Sequence, residues 1–271
     1  MSFFEDLLRL FDTQMTRPES YGWFHLIWFV GSILAAVVLC ITHKKGDDKR
    51  IRRVVLVTAI IVTVLEIYKQ INYSFSYENG IEFNYQWYIF PWQFCSTPMY
   101  VGLLAGLTKK GHVHKAASAY LATFAFFAGA AVMIYPNDVF TQTAGINIQT
   151  MVCHGSMLTI AIYLLYTGYV KANWKSLLLA MSVFAVTVGV AVILNEVAYA
   201  TGITKDHFFN MFYISPHCDP HLPIYSDVQR VVPYPLSLII YIVGFSAASG
   251  IILLVTKGIQ TLAKKRVKAA V

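Results

Sequence analysis

Seven runs of mostly apolar residues, each about as long as a lipid bilayer is thick, dictate what this chain can fold into. They extend from about Tyr21 to Ile41, Val54 to Ile71, Trp87 to Leu107, Ala116 to Tyr135, Thr150 to Val170, Ser176 to Tyr199 and Pro233 to Thr256. A helix of ~20 residues covers the ~30 Å hydrocarbon core, and a helix satisfies its own backbone polar groups where water is absent. Composition excludes the soluble alternative: 57% of the 271 residues are hydrophobic and 13% charged, outside the range of a water-soluble domain. The expected fold is an all-α membrane protein, a seven-transmembrane helix bundle over residues 21–256, localised as a multi-pass protein of a bacterial cell membrane.

Two segments flank the bundle. Residues 1–20 hold Phe3, Phe4, Leu7, Leu8 and Phe11 on one helical face with Glu5, Asp6 and Arg9 opposite, as in a short amphipathic helix lying at the interface. Residues 257–271 form a basic tail. Sixteen of the 21 lysines and arginines fall in the loops after the first, third and fifth runs and in that tail; Arg9, Arg17, Lys69, Lys205 and Arg230 lie on the other side. The positive-inside rule then puts the N-terminus outside and the C-terminus in the cytoplasm. The same distribution explains the net charge of +7 without a nucleic-acid partner. Four cysteines, Cys40, Cys95, Cys153 and Cys218, show no paired spacing and read as free thiols rather than a disulfide framework.

Polar residues inside such runs are costly and tend to be kept where they face a site. The third run, WYIFPWQFCSTPMYVGLLAGL, carries Gln93, Cys95, Ser96 and Thr97 between Pro91 and Pro98. Pro91 suits the first turn of a helix, whereas Pro98 would lie inside it and leave the Phe94 carbonyl without its donor, opening the backbone beside Cys95. His154 lies near the start of the fifth run, Glu66 near the end of the second, Asn195 and Glu196 near the end of the sixth, and His25 at the outer end of the first. With these chain directions all of them gather in the outer leaflet. Counting 1.5 Å per residue, Cys95 lies about 9 Å past Ile89 and His154 about 6 Å past Thr150.

A cysteine paired with a histidine base, itself oriented by a third polar group, is a nucleophile suited to acyl transfer through a thioester. Cys95 and His154 are the candidate dyad, with Glu66, Asn195 or Glu196 as orienter and membrane lipids as substrate. Plainer readings stand beside this one. His25 and His154 can hydrogen-bond across helices, Glu66 and Lys69 are spaced to form an ion pair on one face, and Cys40 and Cys153 suit packing. A loop of about thirty residues, 201–232, contains His217, Cys218, Asp219 and His221, ligand types that zinc accepts, at a spacing that fits no common finger. No metal or other cofactor is expected. The alternatives in function are a non-catalytic transporter or small-molecule binder and, third, a zinc-dependent intramembrane hydrolase.

Taken together, PWQFCS, CHGSMLTIAIYLLY, FFNMFYI and VVPYPLSLIIY resemble the YwaF-like bacterial membrane proteins, relatives of transmembrane protein 164, over most of the chain. That group is regarded as cysteine-dependent acyltransferases that remodel phospholipids; the more distant androgen-induced lipid hydrolases use a threonine and a histidine in a similar core. The resemblance implies that Cys95 accepts the acyl group, that His154 is the base and that Asn210 shapes the site from the outer loop. The order here is NMFY, where the family suggests something nearer NYMF.

Overall fold

The computed structural model describes residues 3–77, 80–219 and 222–269. Its helices are α1 (Phe3–Phe11), α2 (Trp23–Ile41), α3 (Asp48–Asn72), α4 (Thr97–Leu107), α5 (His112–Ala122), α6 (Phe124–Ile134), α7 (Ala144–Tyr166), α8 (Trp174–Ala200), α9 (Ile203–Asp206), α10 (Tyr225–Val231) and α11 (Tyr234–Ala269). Six stretches among the described residues are long and apolar enough to cross a membrane: α2, α3, α5 with α6, α7, α8 and the greater part of α11. The protein is an all-α membrane bundle. A seventh, shorter apolar helix, α4, completes it.

Helix α7 forms the centre and is the most enclosed span, with α2, α3, α5 and α6 packed around it. Small residues set how closely they approach. A Cβ at Gly129 of α6 would come within 2.7 Å of the His154 carbonyl oxygen, one at Gly102 of α4 within 3.0 Å of the Ala59 Cβ, and one at Gly155 of α7 would run into the Ser32 hydroxyl. Without a hydrophobic force between helices in lipid, such close packing is the main source of association. The span formed by α5 and α6 breaks at Thr123, where φ is −127° and ψ −76°; its hydroxyl donates to the Ala119 carbonyl (2.7 Å).

Helix α1 lies across one end of the bundle. Tyr68 Oη and Asn72 Nδ2 both donate to the Phe11 carbonyl, at 2.6 and 3.1 Å, and Leu8 is buried. This α1 end also carries the end of α3, the start of α7 and the end of α8. A two-residue hairpin, β1 (Phe75–Ser76) with β2 (Glu82–Phe83), caps it.

The third apolar run departs from the expectation of one continuous helix. Trp87–Ile89 form a 3-10 turn, residues 90–96 are irregular, and α4 begins only at Thr97. Pro98 therefore stands in the first turn of α4, where a proline lacks nothing a neighbour would use, and not within a helix as the sequence suggested. At 1.5 Å per residue the eleven residues of α4 rise about 16 Å, half the hydrocarbon thickness. The rest of that depth is crossed by non-helical backbone.

Candidate functional site

Irregular backbone at membrane depth persists only where protein supplies its hydrogen bonds. Here side chains from three helices, α3, α4 and α7, do so. Gln70 Nε2 donates to Ile89 O (2.9 Å), Tyr100 Oη to Pro91 O (2.9 Å), Thr97 Oγ1 to Phe94 O (2.9 Å) and Cys153 Sγ to Cys95 O (3.7 Å). The Phe94 carbonyl, expected to be left bare by Pro98, is thus capped by the hydroxyl of Thr97. Cys95 itself is a free thiol, partly exposed, one residue before the Ser96 that caps α4. A thiolate beside a helix N-terminus is favoured by the positive end of the helix dipole.

Cys153, which the sequence suggested was mere packing, is the residue through which α7 meets Cys95. His154 follows it and is buried. Its Nδ1 lies 2.8 Å from the Thr150 carbonyl, which can only accept, so Nδ1 carries the proton and Nε2 is left with its lone pair. That is the tautomer of a base. Among the described residues no hydrogen bond joins the Cys95 thiol to the His154 ring; what the structure brings together is the Cys95 carbonyl and the residue preceding His154.

Glu66 is buried and accepts from Lys69 Nζ at 2.8 Å, from Gln70 Nε2 at 2.9 Å and from Gln149 Nε2 at 3.3 Å. The ion pair with Lys69 foreseen from their spacing is present. The carboxylate does not bond to His154; its link to α7 is Gln149. Sequence reasoning passed over Gln149 and Tyr85, whose hydroxyl donates to Gln70 Oε1 (2.7 Å), although an intramembrane glutamine at the start of an apolar run was signal enough for the first.

The long loop folds back into the bundle. Its Met211–Tyr213 turn descends into the bundle, with Met211 and Phe212 fully buried. Gln93 holds it by both ends of its amide: Nε2 donates to Asn210 O (3.1 Å) and Oε1 accepts from Phe212 N–H (3.1 Å). Asn195, also fully buried, does the same at Met211, donating to its carbonyl (3.0 Å) and accepting from its N–H (2.7 Å). Tyr241 Oη donates to Phe212 O (3.2 Å). The Phe212 ring lies 5.6 Å from Phe94 and 6.2 Å from Phe184. Phe212 and Tyr213 have φ of 58° and 57°, a left-handed conformation that costs a bulky residue about 1–3 kcal/mol and persists where surroundings impose it.

Asn210 is fully buried at the head of this turn. Its Oδ1 accepts from Ser215 N–H (2.9 Å), while Nδ2 has no partner among the described residues. A buried donor left unsatisfied costs about 1–3 kcal/mol, a cost that a water, an ion or a ligand acceptor removes. Two other candidates bond to partners other than Cys95 and His154. His25 is buried and uses both ring nitrogens on backbone, Nδ1 accepting from Tyr21 N–H (3.1 Å) and Nε2 donating to Met133 O (2.9 Å). Glu196 is half exposed and pairs with His217 Nε2 at 3.1 Å, while Tyr199 stacks on the His217 ring at 3.7 Å.

The cysteine and histidines of the long loop do not assemble a metal site in the described residues, where no group of three or more ligand side chains occurs. Cys218 Sγ instead donates to Phe209 O (3.2 Å), and burial pushes its thiol up from the ordinary value. His221 lies outside the described residues.

The model of the TMEM164 family matches residues 20–256, nearly the whole chain. The chain belongs to the TMEM164 family. The match begins just before α2 and ends within α11, so it takes in every membrane helix together with the irregular segment before α4 and the descending loop. No curated protein and no solved structure matches the chain. The relation to transmembrane protein 164 expected from the four motifs is therefore borne out.

Proposed function

We infer that this member of the TMEM164 family is a membrane-embedded acyltransferase or acyl-ester hydrolase that carries the acyl group of a membrane lipid on Cys95 as a thioester. The α1 end of the bundle faces outward and the basic end inward, so the substrate comes from the outer leaflet. One observation carries the reading: Cys95 is a partly exposed thiol at the start of a half-length helix, with its carbonyl held by the residue preceding a neutral histidine whose Nε2 is free to accept a proton.

In the reaction, Cys95 Sγ bonds to the ester carbonyl carbon as its proton passes to His154 Nε2. The ester C–O bond breaks, and the leaving alkoxide takes that proton. A second alcohol, or water, then attacks the thioester and frees the thiol. Gln93, Asn195 and Asn210 hold the descending turn against Cys95, and Glu66 fixes Gln149 on the turn of α7 before His154.

The test is intact-mass analysis of the purified protein in detergent after exposure to a phospholipid mixture and to a lipid-like thiol-reactive probe. An acyl adduct that is released by hydroxylamine, is absent in Cys95→Ala and falls steeply in His154→Ala, both variants being folded, supports the reading. Labelling that ignores Cys95, or proceeds equally without His154, overturns it.

A further inference from the structure

We propose that the side-chain amide of Asn210 and the backbone N–H of Cys95 together bind the carbonyl oxygen of the acyl ester as it takes on negative charge. The inference rests on the function just proposed and assigns a chemical role that Cys95 and His154 cannot fill. When a thiolate adds to an ester, the carbonyl π pair moves onto oxygen. In the low-polarity interior of a bilayer that oxygen needs donors already in position, and such donors are commonly the largest single contribution to acyl-transfer rates.

The side-chain donor sought is an amide nitrogen that the folded protein leaves with no acceptor at all. Nearly every amide near Cys95 fails this condition. Both hydrogen-bonding ends of Gln93 and of Asn195 are taken by the descending turn, and the amides of Gln70 and Gln149 donate to Glu66. Asn210 Nδ2 is the exception: fully buried and without any acceptor among the described residues. The amide is also held in orientation, because Ser215 N–H fastens its Oδ1 and Gln93 fastens its own backbone carbonyl.

The turn that carries Asn210 packs on the Cys95 segment. Gln93, two residues before Cys95, bonds to residues 210 and 212, and Phe212 packs on Phe94. On the other side, the N–H of Cys95 is donated to no backbone carbonyl or other side chain among the described residues and lies against the residue's own sulfur. In one well-known class of acyl-transfer site the nucleophile's own backbone N–H is one of the two donors to the oxygen of the carbonyl it attacks. One donor from the nucleophile's backbone and one from a neighbouring side chain then make the pair.

The distinguishing experiment compares two reactions of the same thiol. Iodoacetamide alkylates Cys95 by displacement, in which no oxyanion forms; p-nitrophenyl octanoate acylates it through one. Both rates are followed by intact mass at pH 8 in detergent, for wild type, Asn210→Ala and Asn210→Asp. The aspartate keeps an acceptor for the Ser215 N–H and sets a carboxylate where the donor stood. The expected result is alkylation within about threefold of wild type, with acylation slowed about 100-fold or more in both variants, the usual effect of losing one such donor. Acylation that stays within threefold of wild type overturns the role of Asn210 and leaves the Cys95 reading standing. A parallel fall in both rates reduces Asn210 to a structural part and also overturns it. If wild type is alkylated at Cys95 but never acylated, the thioester reading falls and this inference with it.

Discussion

Replacing Asn195 by leucine keeps the side-chain volume and removes both bonds to Met211, one at 2.7 Å and one at 3.0 Å. Met211 is fully buried, so its N–H and C=O would be stranded at about 1–3 kcal/mol each, or about 2–6 kcal/mol together. Two outcomes compete: the bundle carries that cost, or the turn leaves. Departure gives up the contacts of Phe212 but releases the left-handed backbone at Phe212 and Tyr213, worth a further ~1–3 kcal/mol each. Release is thus comparable to what holds the turn, and the turn gives way before the helices do. Hydrogen exchange in nanodiscs checks this. Amides over Met211–Tyr213 should lose about 30-fold or more in protection, the equivalent of ~2 kcal/mol, while those of α7 change little. Glu196→Ala, next to it but half exposed and paired only with His217, should move the same amides by less than about 1 kcal/mol. Unchanged exchange over 211–213 in Asn195→Leu, or an equal loss across α7, would refute the reasoning.

Other substitutions follow from the same geometry. Glu66→Gln leaves the Lys69 ammonium without its counter-charge at a buried position and should cost about 3–5 kcal/mol in thermal unfolding, much of it recovered in Glu66→Gln with Lys69→Met. Gly129→Ala puts a methyl 2.7 Å from the His154 carbonyl and from Met157 Cβ, forcing α6 from α7 at about 1–3 kcal/mol and lowering Cys95 acylation; Gly189→Ala, which meets nothing within 4 Å, should be neutral or stabilising by about 0.5–1 kcal/mol. Cys218, with its thiol pushed up by burial, is protonated at pH 7; its alkylation in Cys95→Ala should climb with pH and still be climbing at pH 9. Single cysteines introduced at Lys205 and at Lys110 should react with a membrane-impermeant maleimide from opposite faces of a sealed vesicle, the first from outside.

How much of this was legible beforehand depends on what each element rests on. The spans were legible because length and apolar content decide them, and the ion pair of Glu66 with Lys69 because helical spacing does. The third run misled because proline is compatible with two places in a helix. Nothing local to Pro98 says whether the chain before it is helical, and much of the answer lay in side chains far away in sequence, Gln70 and Cys153, that satisfy its carbonyls. The descent of Met211–Tyr213 was hidden for a related reason. Phe and Tyr carry no signal for a left-handed backbone, which tertiary clamps impose against their preference. Asn210 entered only through a resemblance, whereas the property that singles it out, an unused donor in a sealed interior, exists only in three dimensions.

The two non-helical segments explain each other. Residues 87–96 could not lie at bilayer depth unless protein covered them, and residues 210–213 could not hold a strained turn unless something rigid gripped them. Gln93 belongs to the first and grips the second. Each segment therefore supplies what makes the other admissible. A continuous helix at this depth would have spent each N–H on its own carbonyl, leaving none for a reacting oxygen. Breaking the third run into a turn and a half-length helix is what leaves the N–H of Cys95 without a carbonyl partner, and folding the long loop into the bundle is what brings in a second donor, Asn210 Nδ2, with no partner among the described residues. The departure from regular structure and the capacity for chemistry on an ester within a membrane are on this account one feature, and a variant that restored either segment to its ordinary place would abolish both.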